Sequence, residues 1–358
     1  AAQVRLYLAS AEPLKLFATS PHVDPAKPAF PISYPDSYAR ELCNAIGPYH
    51  TLGLPEETNG VIDETLPFDG FVQLLRDIQQ EREKMFAEAL LQFREGVLAF
   101  VFDTIDRAQH IFWMARDEDH PLHTKATNHY EAVIREFYER MDTVIGGVLD
   151  GLGEDTTLII VSDHGFSTFR RAVHVNSWLR EQGYLTLKSG DEGKPLFHNV
   201  DWARTKAYAL GFSSIFLNME GREAHGCVEA ADVPPLLEEL SGKLLALKDP
   251  QTKKSVVRAM YKGTDIYHGP LAAQGPDLVV GFQAGFRASW QTAVGAAPTS
   301  VFEDNRKRWT GDHLIDPPLV PGVLLCSKPI SSATPSVFDL APSILDLLSI
   351  EPQREFDG

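Results

Sequence analysis

Two kinds of side chain that bind metal ions, aspartate carboxylates and histidine imidazoles, occur close together at three places in this sequence. Asp163 and His164 directly follow an apolar run in the stretch TLIIVSDHGF. Asp106 and His110 lie four residues apart in VFDTIDRAQHIFW, and His313 lies in RWTGDHLIDPPLVPGVLL. A carboxylate and an imidazole at positions i and i+4 share one face of a helix and can converge on one ion.

The apolar run before Asp163 predicts a buried strand. In an open α/β sheet, ligands bind in the crevice at the carboxyl ends of the parallel strands. We therefore expect Asp163 and His164 to point into that crevice. Asp106 and His110, completed by a distant histidine such as His313, would form a three-ligand site with one open position, as a catalytic metal requires. Asp163 and His164 are adjacent and face different ways, so they would divide between two ions or bridge to a second ion nearby.

The composition of this ligand set indicates the metal. All five candidates are Asp or His and none is Cys, which suits Zn²⁺ best, with Mn²⁺ or Fe as lesser options. Asp103 is a rival to Asp106, but its spacing to His110 does not match one helical face. His174 and His268 are rivals to His313, and we interpret both as structural.

Four further residues are candidate substrate-binding groups. Arg170 and Arg171 closely follow the Asp163–His164 pair, and a guanidinium can bind a phosphate through two hydrogen bonds. Arg287 and Trp290, in FRASWQT, could line a substrate pocket. The alternative for the arginines is an ordinary salt bridge.

The elements that must position these residues follow an α/β pattern. We predict helices near 37–46, 71–93, 124–149 and 340–348, from apolar residues at helical spacing. Strands are predicted in VRLYLAS, LKLFATS, GVLAFVFD, TLIIVSD, KAYAL, SIFLN, PDLVVGF and GVLLC. Helices that alternate with buried strands predict a parallel sheet. Residues 284–316 have little periodicity and read as one long loop, which is often functional.

Composition excludes several classes of protein. The chain has 358 residues, is 44% hydrophobic and 23% charged, and carries a formal net charge of -16. It is therefore globular, and its acidity argues against a nucleic-acid polymer as partner, because phosphate backbones are bound by an excess of Lys and Arg. The three cysteines are far apart and read as reduced thiols of an intracellular protein. We expect no membrane segment, since no apolar run approaches the roughly 18 residues that one needs, and we predict a cytoplasmic location.

The motifs DRAQH, SDHGF and GDH, in this order, resemble the metal-binding motifs of the alkaline phosphatase superfamily. Within it, the sequence is most similar to prokaryotic members of the type I phosphodiesterase/nucleotide pyrophosphatase branch. The stretches PAFPISYP, SDHGFSTFRR, GPDLVVGF and the final FDG extend the resemblance over most of the chain. It implies a three-layer α/β/α sandwich with a mostly parallel sheet over residues 69–358, preceded by a cap-like or connecting segment at 1–68.

The resemblance also implies two divalent metal ions and a Thr or Ser nucleophile. Asp106, His110 and His313 would hold one ion, and Asp163 and His164 the other. An aspartate from the first strand of the sheet and the nucleophile are expected upstream of Asp106, and neither motif is found there. The chain therefore reads either as the C-terminal portion of an enzyme, whose N-terminal segment is its partner, or as a degenerate relative.

Three functions remain open at this point. The first is a zinc-dependent phosphodiesterase or nucleotide pyrophosphatase acting on a small phosphorylated substrate by two-metal phosphoryl transfer. The second keeps the scaffold but acts as a phosphomonoesterase, phosphonate hydrolase or phosphomutase. The third is a non-catalytic module that binds metal or phosphate. A sulfatase is disfavoured, because no Cys or Ser lies in a C/S-x-P-x-R setting.

Overall fold

The computed structural model describes residues 1–190, 192–352 and 356, so the last two residues of the FDG motif lie outside it. The chain forms two compact units. The first comprises Ala1–Ile111, His129–Asp163 and Val323–Gly358, and the second comprises Phe112–Asn128 and His164–Gly322. The division into 1–68 and 69–358 stays a prediction.

The first unit combines helices with three small antiparallel sheets, each of two strands. Its helices are α1 (Tyr38–Ile46), α2 (Thr58–Ile62), α3 (Phe68–Gln92), α4 (Thr104–Phe112, which ends at the unit boundary), α5 (Glu131–Asp150) and α10 (Leu340–Leu347). Its strands are β1 (Ala2–Gln3), β2 (Leu6–Ala11), β3 (Leu14–Ala18), β4 (His22–Val23), β5 (Ile159–Val161) and β14 (Leu324–Cys326). The pairs are β1 with β4, β2 with β3, and β5 with β14.

Helices α3 and α5 supply much of the core of the first unit. Phe71, Leu75 and Ile78 of α3 recur at helical spacing and are buried, as is Phe137 of α5. Salt bridges join the polar sides of the two helices: Arg76 pairs with Glu136 at 2.7 Å and Arg140 with Glu83 at 2.8 Å. The long helices predicted from the spacing of apolar residues are thus confirmed, although α5 begins at Glu131 rather than near 124.

The strand predicted in GVLAFVFD is wrong, because residues 97–102 lie outside every named strand. Their side chains nevertheless alternate like those of a strand. Phe100 and Phe102 turn inward and contact Phe86 at ring-centroid distances of 5.3 and 5.6 Å, whereas Val97 and Val101 are 55% and 75% exposed. The apolar character of this segment was predicted correctly, but none of the described strands forms a ladder of backbone hydrogen bonds with residues 97–102.

The second unit contains two sheets whose strands pair mainly antiparallel, together with several helices. Its strands are β6 (Ser167–Val173), β7 (Ala207–Leu210), β8 (Ser214–Leu217), β9 (Val257–Lys262), β10 (Leu278–Phe282), β11 (Gly285–Ala288), β12 (Phe302–Asp304) and β13 (Gly311–Asp312). Its helices are α6 (Val175–Glu181), α7 (Val233–Leu245), α8 (Gly263–Ile266) and α9 (Trp290–Ala293). One sheet has the order β7-β8-β10-β9; in the other, β6 pairs with β11, β12 and β13.

Residues 284–316 are not the single loop that the sequence suggested. They contain β11, α9, β12 and β13, and all three strands pair with β6. These strands have only two to four residues, which is too short for a periodicity to show in the sequence. Their place in the sheet comes instead from tertiary pairing with β6.

The fold is of the mixed α/β class, as predicted. Among the described strands, however, β11 with β6 is the one parallel pair between named strands, and all the others are antiparallel. The mostly parallel sheet, the three-layer sandwich and a missing first strand are therefore not confirmed. None of the helices in the described part of the chain has the length and apolar character to span a bilayer.

Candidate metal centre

In the first unit, α4 presents the Asp106–His110 pair as the sequence spacing predicts. Nε2 of His110 lies 3.5 Å from a carboxylate oxygen of Asp106. His110 is buried, and Asp106 lies in the first turn of the helix, where the helix dipole stabilises a negative charge. Arg107 contacts the same carboxylate oxygen at 3.1 Å. An ion bound through this oxygen of Asp106 would therefore share it with a guanidinium.

Asp163 lies two residues beyond β5, at the end of the strand that the sequence predicted. That strand has only three residues and is half-exposed rather than buried, and the Asp163 residue is itself exposed. Ser162 continues the pairing beyond β5, because its backbone N–H donates to the carbonyl of Val323 at 2.9 Å. Asp163 is thus held at the end of an ordered strand.

In the second unit, the imidazoles of His164 and His313 stack on one another. Their ring centroids are 3.5 Å apart and the planes differ by 11°. Nδ1 of His164 lies 2.9 Å from the carbonyl of Gly165. Because a carbonyl can only accept, Nδ1 carries the proton and Nε2 carries the lone pair, which is the arrangement that a metal-binding histidine adopts.

Two aromatic rings support this histidine pair. Phe166 meets His164 and His313 edge-on, with centroid distances of 5.6 and 5.5 Å. Trp113 stacks on Phe166 at 5.7 Å. Sequence reasoning missed both aromatic residues as part of the site, although Phe166 stands within the quoted SDHGF motif.

Strand β6 brings the two histidines together, although they are far apart in the sequence. It begins at Ser167, three residues after His164, and pairs antiparallel with β13, which ends one residue before His313. The register places Asp312 opposite Ser167 and Gly311 opposite Thr168. One short ladder therefore fixes the positions of both histidines.

Position 165 requires a glycine because the backbone of residues 320–321 passes very close to it. A Cβ atom at this position would lie 2.8 Å from the carbonyl oxygen of Pro321. The backbone N–H of Gly165 also donates to the carbonyl of Val320 at 2.9 Å. This glycine therefore makes room for the segment at 320–321.

Arg170 and Arg171 are both held by carboxylates of the second unit. Arg170 donates to Asp117 at 2.7 Å through Nε and to Asp119 at 2.9 Å. Arg171 is buried and donates to Asp304 at 3.0 Å. Burial alone would raise the pKa of the Asp117 carboxyl, but hydrogen bonds from Arg170 and Thr168 outweigh it, and the pKa is lowered. These contacts match the salt-bridge alternative, so substrate binding by either arginine stays a prediction.

Arg287 is deeply buried, at 1% exposure, and its guanidinium pairs with Asp312. This burial argues against the predicted contact with a substrate. Trp290 stacks on the same guanidinium at 4.2 Å and also contacts Lys307 at 4.4 Å. Asp312 was not singled out in the sequence, although it directly precedes His313 in the GDH motif.

The rival residues occupy structural or surface positions. His174 is buried and its Nδ1 lies 2.7 Å from the hydroxyl of Ser289. His268 is exposed, and Asp103 lies 3.6 Å from Arg82. Another buried histidine, His120, forms a hydrogen bond with the carbonyl of Phe169 at 3.0 Å, and burial lowers its pKa to about 4.

A comparison with known families places this geometry in context. The sequence model of the type I phosphodiesterase / nucleotide pyrophosphatase family matches residues 17–295. The match covers well over half of the chain and includes Asp106, His110, Asp163 and His164, while His313 lies beyond it. The chain therefore belongs to this family, which is part of the alkaline phosphatase superfamily. No curated protein matches the chain.

Proposed function

We propose that this protein hydrolyses a phosphodiester or pyrophosphate bond of a small substrate with the help of divalent metal ions. The family is a hydrolase family that acts on phosphodiester bonds and is typically metal-dependent. The observation that carries the proposal is the family match across residues 17–295, together with the four candidate ligands inside it.

The proposed ligands are the five residues singled out in the sequence. Asp106 and His110 pair on α4 in the first unit, and His164 and His313 stack in the second unit. As in the sequence-based prediction, Asp106, His110 and His313 would hold one ion, and Asp163 and His164 the other. A donor set of Asp and His without thiolate suits Zn²⁺, and Mn²⁺ or Fe also accept such ligands.

The residues of this chain contribute binding and orientation to the proposed reaction. Bound divalent ions would supply Lewis-acid polarisation of the phosphoryl oxygens and stabilise the attacking and leaving oxygens. His164 presents Nε2 because its Nδ1 proton is engaged by the Gly165 carbonyl. The stacking of His164 on His313 and its edge-on contact with Phe166 restrict the rings to one orientation, so that less entropy is lost on ligation.

The proposal also assigns the Thr or Ser nucleophile to a segment outside residues 1–358. The apolar residues 97–102 support this part, since they lead into α4 and alternate like a strand but pair with none of the described strands. A further strand pairing there would satisfy their backbone groups and end close to Asp106 in the sequence. The two-ion count, the choice of zinc and a cytoplasmic location are likewise proposals.

The experiment that tests this function combines elemental analysis with two chromogenic substrates. Metal content is measured on the purified chain and on a His164→Ala variant, and hydrolysis of bis(p-nitrophenyl) phosphate is compared with that of p-nitrophenyl phosphate. His268→Ala serves as the control, because His268 is an exposed histidine of the same unit that is not a proposed ligand. We expect stoichiometric metal in the wild type and the control, and a loss of metal in His164→Ala.

The outcomes separate the possible functions. Preference for the diester supports the proposed phosphodiesterase, whereas preference for the monoester would indicate a phosphomonoesterase on the same scaffold. The chain could also bind metal but hydrolyse neither substrate. If hydrolysis then appears when a segment that bears the nucleophile is added, the result supports the assignment of that group outside the chain. If neither wild type nor control retains or takes up a divalent metal, the hydrolase proposal is wrong.

A further inference from the structure

The side chain of Arg287 is the largest of the fully buried side chains in the described part of the protein. Three aromatic rings surround it, with the guanidinium carbon 4.4 Å from the ring centre of Phe169, 4.7 Å from that of Phe212 and 4.2 Å from that of Trp290. Arginine is almost never fully buried unless it is paired. Stacking on aromatic faces offsets part of the lost hydration, but a buried charge still requires a counter-charge.

That counter-charge is Asp312, which is buried at 1% exposure. Its Oδ2 atom accepts from Nη1 of Arg287 and, at 2.8 Å, from the indole Nε1 of Trp309. Arg287 also donates through Nε to the carbonyl of Ala288 at 3.1 Å. The carboxylate of Asp312 is therefore held in place by two donors on one of its oxygens.

The other oxygen of Asp312 faces the backbone that follows it. Oδ1 accepts from the N–H of His313 at 2.8 Å and from the N–H of Leu314 at 3.0 Å. A carboxylate that binds two successive N–H groups fixes the turn in which they lie. The turn in question carries the imidazole that stacks on His164.

From these contacts we infer that Arg287 and Asp312 are positioning residues for His313, which they hold in the orientation that binds metal. The inference rests on the proposed function for the role of His313 and adds two residues to that site. The chain of contacts runs from the aromatic cage to Arg287, then to Asp312, and then to the His313 backbone. Groups that orient a metal ligand typically affect metal affinity without touching the ion.

The planar fork of arginine suits this position better than lysine would. Its Nε and Nη1 atoms donate in fixed directions to two acceptors, and its flat face stacks on the rings. A lysine could restore the charge but not both the direction and the stacking. Arg287→Lys is therefore expected to give an intermediate result.

The test compares four variants. Arg287→Met removes the guanidinium, and Arg287→Lys keeps only its charge. Asp312→Asn keeps the shape and one acceptor oxygen, but it turns an N–H₂ group towards the donors of Arg287 and Trp309. Lys307→Met is the matched control, because Lys307 is an exposed cation that stacks on the same indole of Trp290.

Two quantities are measured on each variant. The first is Zn²⁺ affinity, by competition with a chromogenic chelator, at a temperature where circular dichroism shows the variant to be folded. We expect about 10- to 100-fold weaker binding in Arg287→Met and Asp312→Asn, a smaller loss in Arg287→Lys, and no change in Lys307→Met. If Arg287→Met does not fold, Arg287→Lys and Asp312→Asn give the answer.

The second quantity is the position of the imidazole NMR signals of His164 and His313 without metal, assigned with His164→Ala and His313→Ala. We expect Asp312→Asn to shift the His313 signals and Lys307→Met to leave them unchanged. Folded variants with wild-type affinity and wild-type His313 signals would overturn the inference while leaving the proposed function intact. A wild type without zinc binding but with the expected NMR shifts would overturn the proposed function and support the positioning of His313.

Discussion

Replacing Gly165 with alanine tests whether the close approach of the segment at 320–321 fixes the backbone next to His164. The added Cβ would lie 2.8 Å from the Pro321 carbonyl oxygen, whereas a carbon–oxygen contact without a strong hydrogen bond needs about 3.3 Å or more. The two segments must therefore separate by about 0.5 Å. That movement also stretches the hydrogen bond from Gly165 N–H to the Val320 carbonyl, now 2.9 Å.

The magnitude follows from these two losses. Forcing one extra carbon into a packed site costs about 1–3 kcal/mol, and a weakened backbone hydrogen bond contributes about 0.5–1.5 kcal/mol. We expect Gly165→Ala to lower the free energy of unfolding by about 1.5–4.5 kcal/mol. Because the alanine stands between His164 and Phe166, metal affinity should fall as well.

Gly242→Ala is the matched control with the opposite sign. Gly242 lies inside α7, and a Cβ there would meet nothing within 4 Å. Alanine at such a helical position stabilises a protein by about 0.4–1 kcal/mol. Both variants are compared with the wild type by urea denaturation followed through tryptophan fluorescence, and by Zn²⁺ titration. An unfolding midpoint for Gly165→Ala equal to or above that of the wild type would refute the argument.

Three further predictions concern stability. The pKa of His120 is about 4 in the folded protein and 6.5 when unperturbed, so the unfolded state binds more protons between these pH values. The free energy of unfolding should therefore fall by up to about 3 kcal/mol as the pH drops from 6.5 to 4. In denaturation measured as a function of pH, His120→Gln should flatten this slope. Phe137 of α5 is 1% exposed, so Phe137→Ala should cost about 3–5 kcal/mol by calorimetry or urea titration, with Phe137→Leu distinctly milder as control. Glu83→Gln breaks the Arg140 salt bridge, whose side chains are 26% and 28% exposed, and should change stability by no more than about 1 kcal/mol; a larger change would mean that this pair is more desolvated than its exposure indicates.

The sequence predicted the helices best, because helical spacing is a local signal. The apolar positions of α3 and the first pair of strands, β2 and β3, were found from a few neighbouring residues each. The strand predicted at 97–102 was wrong, because strand formation depends on a neighbour that composition cannot reveal. The short strands β11, β12 and β13 were missed for the converse reason: pairing with β6 makes them strands, although their own sequences do not stand out.

In the candidate site, too, local contacts could be predicted from the sequence and long-range contacts could not. Asp106 and His110 could be paired from spacing alone, since one helix carries both. The stack of His164 on His313 required a ladder between segments about 150 residues apart in the sequence. The burial of Arg287 was likewise not predictable, since its aromatic cage and its partner Asp312 come from several separate segments.

The pairing of β6 with β13 has a consequence for variation in this protein. The distance between the two stacked imidazoles is set by a two-residue register and not by the length of chain between them. The four strands β7 to β10 and helix α7 all lie in that intervening sequence. Insertions, deletions or exchanged loops among β7 to β10 and α7 can therefore alter the protein surface while the histidine pair keeps its geometry. A change of register in the pairs Ser167–Asp312 and Thr168–Gly311, in contrast, would disrupt the histidine pair itself, since a shift of one residue turns each side chain to the opposite face of the sheet.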